Sequence, residues 1–295
     1  MAAKRKNKAA VSLTSLLAAL VILGVSWIGY QFFGDDPKPI TPGTDVSVHF
    51  IDVGQGDCEL IRVGDQSILI DAGENDKGNT VLDYLNKQGI EKIDLFIGTH
   101  PHSDHIGGMD TVINRIEVGE VLMPELPDSL VPTTKTYTDV LTAIADKNLP
   151  VTAAEPGQMY TFGDATLEIL GPLRDYDDLN DMSVVAKLTY GSTTFLFGGD
   201  MEKEVEDDLL NANADVRADV LKLSHHGSKT SNSKAFLDAV GADTYAICVG
   251  AGNSYGHPHD QVLNRISGKQ VYRTDLNGDI VIGTDGANLT VQTEK

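Results

Sequence analysis

The sequence predicts an α/β fold in which sheets are covered by helices. Three observations carry that expectation. Short apolar runs recur along the chain, interleaved with segments of helical spacing, the pattern of strands packed beneath helices. Several of these runs end in a glycine turn, a carboxylate or histidines, as happens when loops gather at one edge of a sheet. And 295 residues with 41% apolar content and 29 glycines suit one large or two small globular domains with a substantial core and many loops. No repeat of fixed period and no low-complexity tract is present.

The chain opens on Lys4, Arg5, Lys6 and Lys8, followed by a mostly apolar stretch from Ala9 to about Phe33. That length suits a membrane-spanning helix of ~20 residues. Trp27, Tyr30, Phe32 and Phe33 stand at its distal end, where an interfacial aromatic belt lies, and no clear small-residue cleavage site follows. Residues 1–33 therefore read as an uncleaved signal anchor in preference to a cleaved signal peptide. The basic start stays in the cytoplasm, and the rest of the chain lies outside, at the cell membrane. Cleavage would make the protein secreted. Residues 34–45, with Pro37, Pro39, Pro42 and Gly43, read as an extended tether.

The main domain is expected over 46–295. Val46 to Ile51 alternates as a strand does, and Asp52-Val53-Gly54-Gln55-Gly56-Asp57 is a glycine-bearing turn. A second strand runs from Cys58 to Val63, and Gly64-Asp65 turns it into a third, Ser67 to Ile70, that ends at Asp71-Ala72-Gly73. Val81, Leu82 and Leu85 have helical spacing closed by Gly89. The apolar run Ile93, Leu95, Phe96, Ile97 reads as a buried strand. Further helices are expected at 138–147, 202–210, 233–240 and 259–266. Strands are expected at 118–123, 166–170, 183–190, 193–197, 220–223 and 244–249, and near Ile280 and Leu289.

The formal net charge is −20. The four cations of the N-terminus precede the first acidic residue, Asp35, so the segment after them stands at −24. A broad basic surface for nucleic acid is thereby disfavoured, although bound cations or a local basic patch can still receive phosphate. Cys58 and Cys248 both lie in apolar runs and read as buried free thiols.

Chemistry concentrates in Thr99-His100-Pro101-His102-Ser103-Asp104-His105-Ile106-Gly107-Gly108, directly after a strand. Pro101 and the glycine pair interrupt regular structure, so the segment is expected to be a loop in which imidazoles converge. A polar turn accounts for one histidine after a strand; it does not account for three and a carboxylate within six residues. Imidazole nitrogen with carboxylate oxygen is a ligand set for zinc and related ions, and the segment reads as a metal site for two of them. Of the eight histidines, all but His49 fall into three clusters: this one, His225/His226 after the strand at 220–223, and His257/His259 around Pro258. Asp71 and Asp200 end other strands. A lone Asp at a strand end is usually a cap or turn residue, but five such strand ends together fit one site.

These motifs resemble the metallo-β-lactamase superfamily, and within it the hydrolase domain of ComEC-type competence proteins. The resemblance runs from Val46 to the C-terminus. It rests on Asp52 to Asp57, Asp71-Ala72-Gly73, the histidine loop, Asn180 to Val185, Gly198-Gly199-Asp200, His225-His226-Gly227-Ser228 and Gly256-His257-Pro258-His259. It implies a four-layer αββα sandwich and two divalent ions, zinc or manganese. His100 and His102 would hold one, Asp104 and His105 the other, and Asp200 would bridge. His225, nearer its strand, is the preferred last ligand with His226 facing substrate, and the reverse stays open. The chain departs from many members in having no histidine from 106 to 224; Asn180 or Asp181 stands near the corresponding place.

Two cations would make hydroxide available near neutral pH and stabilise developing charge. Asp104 would orient the attacking water, Asp71 would fix a ligating imidazole, and His257 would protonate the leaving group or bind a phosphate oxygen unless it is a structural turn residue. Ser228 and Lys229 could donate to an anionic substrate. The leading expectation is an outward-facing phosphodiesterase whose substrates include DNA. The alternatives are an esterase of cell-envelope phosphodiesters of the phosphorylcholine type and a non-catalytic metal-binding surface module. β-Lactam hydrolysis is disfavoured. No protein partner is inferred, and competence itself is not implied.

Overall fold

The computed structural model describes residues 44–295. The expected anchor and all but the last two residues of the expected tether lie outside the described residues. Among those described, no helix is long and apolar enough to cross a membrane.

Two mixed sheets form the centre. The first contains β1 (Val46–Phe50), β2 (Glu59–Val63), β3 (Gln66–Ile70), β4 (Lys92–Ile97), β5 (Glu117–Met123) and β6 (Val151–Ala153), with β14 (Ile280–Thr284) and β15 (Leu289–Thr293) returning beside β1. The second contains β7 (Met159–Phe162), β8 (Ala165–Gly171), β9 (Val185–Tyr190), β10 (Thr193–Phe197), β11 (Val220–Lys222), β12 (Thr244–Ile247) and β13 (Gln270–Arg273). Strands β3 to β6 are parallel, as are β10 to β13; the remaining neighbours are antiparallel.

Alternation along the strands explains the layers. Ile68, Ile70, Leu95 and Ile97 meet Leu167, Phe195, Phe197 and Ala246 in the core between the sheets. Leu69 and Phe96 point the other way, onto α1 (Gly78–Lys87), α3 (Met109–Arg115) and α4 (Lys135–Asp146) through Val81, Leu85, Val112, Val140 and Ile144. On the far side, Leu196, Leu221 and Tyr245 pack on α5 (Lys203–Asn211), α6 (Lys234–Val240) and α7 (Asp260–Arg265) through Val205, Leu209, Phe236 and Val262. The order is helix, sheet, sheet, helix, as the resemblance implies. Strands covered on both faces read as continuous apolar runs, which is why β4 and β10 were recognisable.

Helix starts follow local chemistry. Thr134 Oγ1 accepts from the Tyr137 amide at 3.3 Å and begins α4 three residues before the apolar spacing does. Ser233 caps α6 in the same way, at 3.2 Å from the Phe236 amide. The histidine loop contains a single helical turn, α2 (Ser103–Ile106), where an irregular loop was expected. Its four residues, starting from His102, fit a turn between Pro101 and Gly107. Strands β6, β7 and β13, helix α3 and the short α8 (Thr274–Asn277) carried too weak a pattern to be read. The strands are three or four residues long, and Val151 and Met159 are exposed.

Candidate metal centre

Parallel strands bring their C-terminal ends to one edge, where loops build sites in α/β folds. Ile70 pairs with Ile97 and Phe197 with Lys222, so the chain leaves β3, β4, β10 and β11 side by side. Asp71, His100 to His105, Asp200 and His225/His226 follow those strands directly. The turn Asp52 to Asp57 closes beneath them: the Asp57 amide donates to Asp104 O at 3.0 Å and the Gly73 amide to Asp57 O at 2.9 Å. Gly56 sits at φ +138°, and a Cβ there would lie 2.3 Å from Asp104 O. Only glycine permits that approach.

Four side chains converge. Asp104, His105, Asp200 and His226 each offer a ligand atom, all within 4.8 Å of one another. His105 Nε2 is 3.2 Å from Asp200 Oδ2 and 3.9 Å from Asp104 Oδ2. His226 Nε2 is 3.1 Å from Asp104 Oδ2 and 3.7 Å from Asp200 Oδ2. Ligands about 2.1 Å from a tetrahedral ion are about 3.4 Å apart, so this spacing fits a divalent cation.

The ring orientations fit as well. His105 Nδ1 donates to Asp71 Oδ2 at 2.7 Å and His226 Nδ1 to the Cys248 carbonyl at 2.9 Å, so each Nε2 faces the group and would become a ligand on giving up its proton to an incoming cation. Such partners fix the tautomer of a ligating imidazole. His105 Nε2 and Asp200 Oδ1 are buried and make no hydrogen bond, an arrangement that a cation would satisfy. Asp71 is itself held by the Thr99 amide at 2.8 Å and hydroxyl at 2.6 Å.

The structure brings His226, rather than the preferred His225, into the group. His226 is 1% exposed and belongs to the four-residue group; His225 is 22% exposed and its Nε2 reaches no closer than 3.8 Å to Asp200. Both take left-handed backbone, at φ +51°. Two successive such residues swing the second ring, not the first, back over the sheet edge. Strain of this kind persists where surrounding structure enforces it.

His100 and His102 contact each other, Nε2 to Nδ1 at 3.0 Å, and no group of three or more ligand-type residues among the described residues contains them. Ser183 Oγ lies 3.3 Å from His100 Nδ1 and accepts from the Asp200 amide at 3.0 Å. Of the two candidates for the missing histidine, Asp181 Oδ1 accepts from the Glu202 amide at 2.8 Å. Asn180 Oδ1 is buried and makes no hydrogen bond.

His257 stands over the group, its ring 5.4 Å from His225 and 6.1 Å from His226. Burial, reinforced by those two rings, pushes its pKa down to about 4. A ring whose neutral form is favoured in this way is suited to donating an N–H to a phosphate oxygen.

Two residues the sequence reading overlooked complete the centre. Lys222 and Asp57 form an ion pair with both side chains 1% exposed. Asp57 Oδ1 lies 3.2 Å from His226 Nδ1 and Oδ2 lies 3.7 Å from His105 Nδ1. A lysine inside the apolar run Val220 to Leu223 was the available signal, since a charge within a buried strand requires a partner. Burial opposes charge on His226, but Asp200 and Asp57 push it up to about 10. Burial likewise opposes the Asp104 carboxylate, and the His226 hydrogen bond with the His105 charge holds it below the usual range. The surroundings thus favour positive charge in this group. Cys58 and Cys248 are free and buried.

The model of the metallo-beta-lactamase superfamily matches residues 51–251. The chain belongs to that superfamily. It is 31% identical over 254 residues to ComE operon protein 3 of Bacillus subtilis (strain 168), covering 79% of this chain and 32% of that protein. It is 28% identical over 280 residues to competence protein ComA of Neisseria gonorrhoeae, covering 92% and 36%. The chain thus spans about a third of these relatives, which are competence proteins of the ComEC type. The metallo-β-lactamase fold protein YhfI of Bacillus subtilis superposes with a TM-score of 0.52 at 15% identity, covering 84% of this chain and 100% of that one, which speaks for the fold alone.

Proposed function

We propose that this protein is a membrane-anchored, extracytoplasmic phosphodiesterase that cleaves DNA with the help of two divalent ions, zinc or manganese. The observation that carries the reading is the convergence of Asp104, His105, Asp200 and His226 at the sheet edge, in a chain whose relatives are competence proteins. Divalent ions there would supply Lewis acidity and a lowered water pKa. The chain's own residues do the rest. Asp71 and the Cys248 carbonyl hold two imidazoles with Nε2 inward. Asp104, 24% exposed, is the member that meets solvent and orients the attacking water through its carboxylate. The neutral His257 donates to a phosphate oxygen. Asp104, His105, Asp200 and His226 would hold one ion, and His100 and His102, with Asp200, would hold the second.

A second reading, an esterase for envelope phosphodiesters of the phosphorylcholine type, draws on the charge of −24 after the N-terminus, which disfavours a long polyanion. The full chain, metal-stripped and titrated with zinc or manganese, is to be assayed on bis-p-nitrophenyl phosphate, single-stranded DNA and p-nitrophenyl phosphorylcholine. Restored cleavage of the first two, absent in Asp104→Ala, is expected. Cleavage of the choline ester without DNA cleavage would transfer the reading to the envelope esterase. Bound metal without turnover on any substrate would leave a metal-binding surface module.

A further inference from the structure

The rim of the metal centre carries an aromatic side chain that the chemistry described above leaves unused. Tyr255 is 65% exposed, the most exposed large apolar-bodied side chain among the described residues. Its ring stacks on His257 with centroids 5.6 Å apart and planes 23° from parallel. His257 in turn stands over His225 and His226, so the tyrosine lies one ring away from the catalytic group.

The loop that presents it is fixed from below. Asn253 Oδ1 accepts from the Tyr255 amide at 3.2 Å and the His257 amide at 3.0 Å. Asn253 Nδ2 donates to the carbonyls of Gly250 at 3.0 Å and His257 at 2.7 Å. The Gly250 amide donates to Gln55 Oε1 at 3.1 Å, in the turn beneath the metal centre. An exposed aromatic side chain on a braced loop has already lost much of the entropy that binding would remove, so it is suited to stacking. Next to it, His259 lies 4.9 Å from His257 and accepts from the Lys229 amide at 3.2 Å through Nδ1. The Lys229 side chain is exposed, on a loop whose backbone meets this rim.

From this arrangement we propose that Tyr255 is the stacking platform for the base next to the scissile phosphate, with Lys229 receiving the neighbouring phosphate. The proposal rests on the phosphodiesterase reading and names its substrate class as single-stranded nucleic acid. An exposed aromatic face on which a base can stack, with a cation on an adjoining loop to meet the backbone, is the combination that proteins use to hold single strands. A quaternary ammonium is recognised by a cage of several aromatic rings, whereas Tyr255 is the one tyrosine, phenylalanine or tryptophan of residues 250–259.

Two diesters with the same leaving group separate the roles: thymidine 5′-(p-nitrophenyl phosphate) and methyl p-nitrophenyl phosphate. Tyr255→Ala is expected to lower kcat/KM for the nucleoside ester about tenfold, the scale of one base–aromatic stack, and to leave the methyl ester within about twofold. Tyr255→Phe should keep both. Equal losses on the two esters, or none, would overturn the proposal, as would a loss confined to p-nitrophenyl phosphorylcholine. Binding gives a readout that needs no turnover: labelled dT12 should bind wild-type protein more tightly than an abasic strand of equal length, and Tyr255→Ala should erase the difference. If neither ester is hydrolysed by the wild-type protein but this base-dependent binding is found, the phosphodiesterase reading falls and the stacking site stands. Equal binding of both strands by the wild-type protein would remove the site.

Discussion

At the scale of single residues, the centre is a set of imidazoles and carboxylates held by specific partners. His226→Ala should weaken zinc binding by at least about 100-fold, because it removes an inward Nε2 that is already oriented. His225→Ala should change it only a few-fold, and competition with a chelator measures both. Lys222 tests the electrostatics. Lys222→Met takes the buried Asp57 carboxylate's lysine partner away, a loss of about 3–5 kcal/mol, and adding Asp57→Asn should restore part of it in urea unfolding. Glu59 gives the pH dependence. Burial, aided by Asp57, pushes its pKa up to about 8, from 4.5 when exposed, while its Oε1 accepts from the Cys248 thiol at 3.4 Å. The native state therefore keeps a proton that the unfolded chain releases between about pH 4.5 and 8. Glu59 thus removes stability as pH rises through that window, by about 1.4 kcal/mol per pH unit. Glu59→Gln should become progressively more stable than the parent protein across the window, with the difference constant above it. A difference that did not vary with pH would show Glu59 ionised throughout.

At the scale of elements, glycine turns decide how closely loops can approach. Gly56 lets the turn before β2 lie against the Asp104 carbonyl. Gly107 does the same for α2, where a Cβ would meet Asn75 N and Ser103 O at 2.3 Å. Gly56→Ala combines a forbidden φ with a backbone clash, so the histidine loop must move. We expect a loss of about 1–3 kcal/mol with a disproportionate fall in metal affinity, because the displaced residue is Asp104 itself. Thermal unfolding with and without zinc separates the two effects: a fall in stability with unchanged metal affinity would mean that the turn yields and the loop does not.

At the scale of the whole molecule, the centre lies where the two sheets meet. Asp71 and His100 to His105 leave the first sheet, and Asp200 and His226 leave the second. A bound ion therefore ties the two halves together and should stabilise the fold as a ligand does. Free metal at 100 times its Kd adds about 2.7 kcal/mol, which for a domain of this size raises Tm by roughly 5–10 °C. Calorimetry with zinc and then with excess chelator checks this. A Tm indifferent to zinc would mean that the four residues hold no ion.

Much of this was legible in the sequence because it is local. Strands buried on both faces, such as β4 and β10, announce themselves as apolar runs. The residues after them, His100 to His105, Asp200 and His225/His226, announce ligand chemistry by type and spacing alone. The sequence by itself thereby determined the layered α/β architecture, the family and the residue types of the centre. It could not determine which of two adjacent histidines turns inward, because two successive left-handed residues set that direction and the fold imposes them. Nor could it join Asp57 to Lys222 or place Asn253 beneath Tyr255, since each pairing depends on where separate loops come to rest. Those contacts exist only when parallel strands from both sheets end at one edge, and tertiary structure alone decided them.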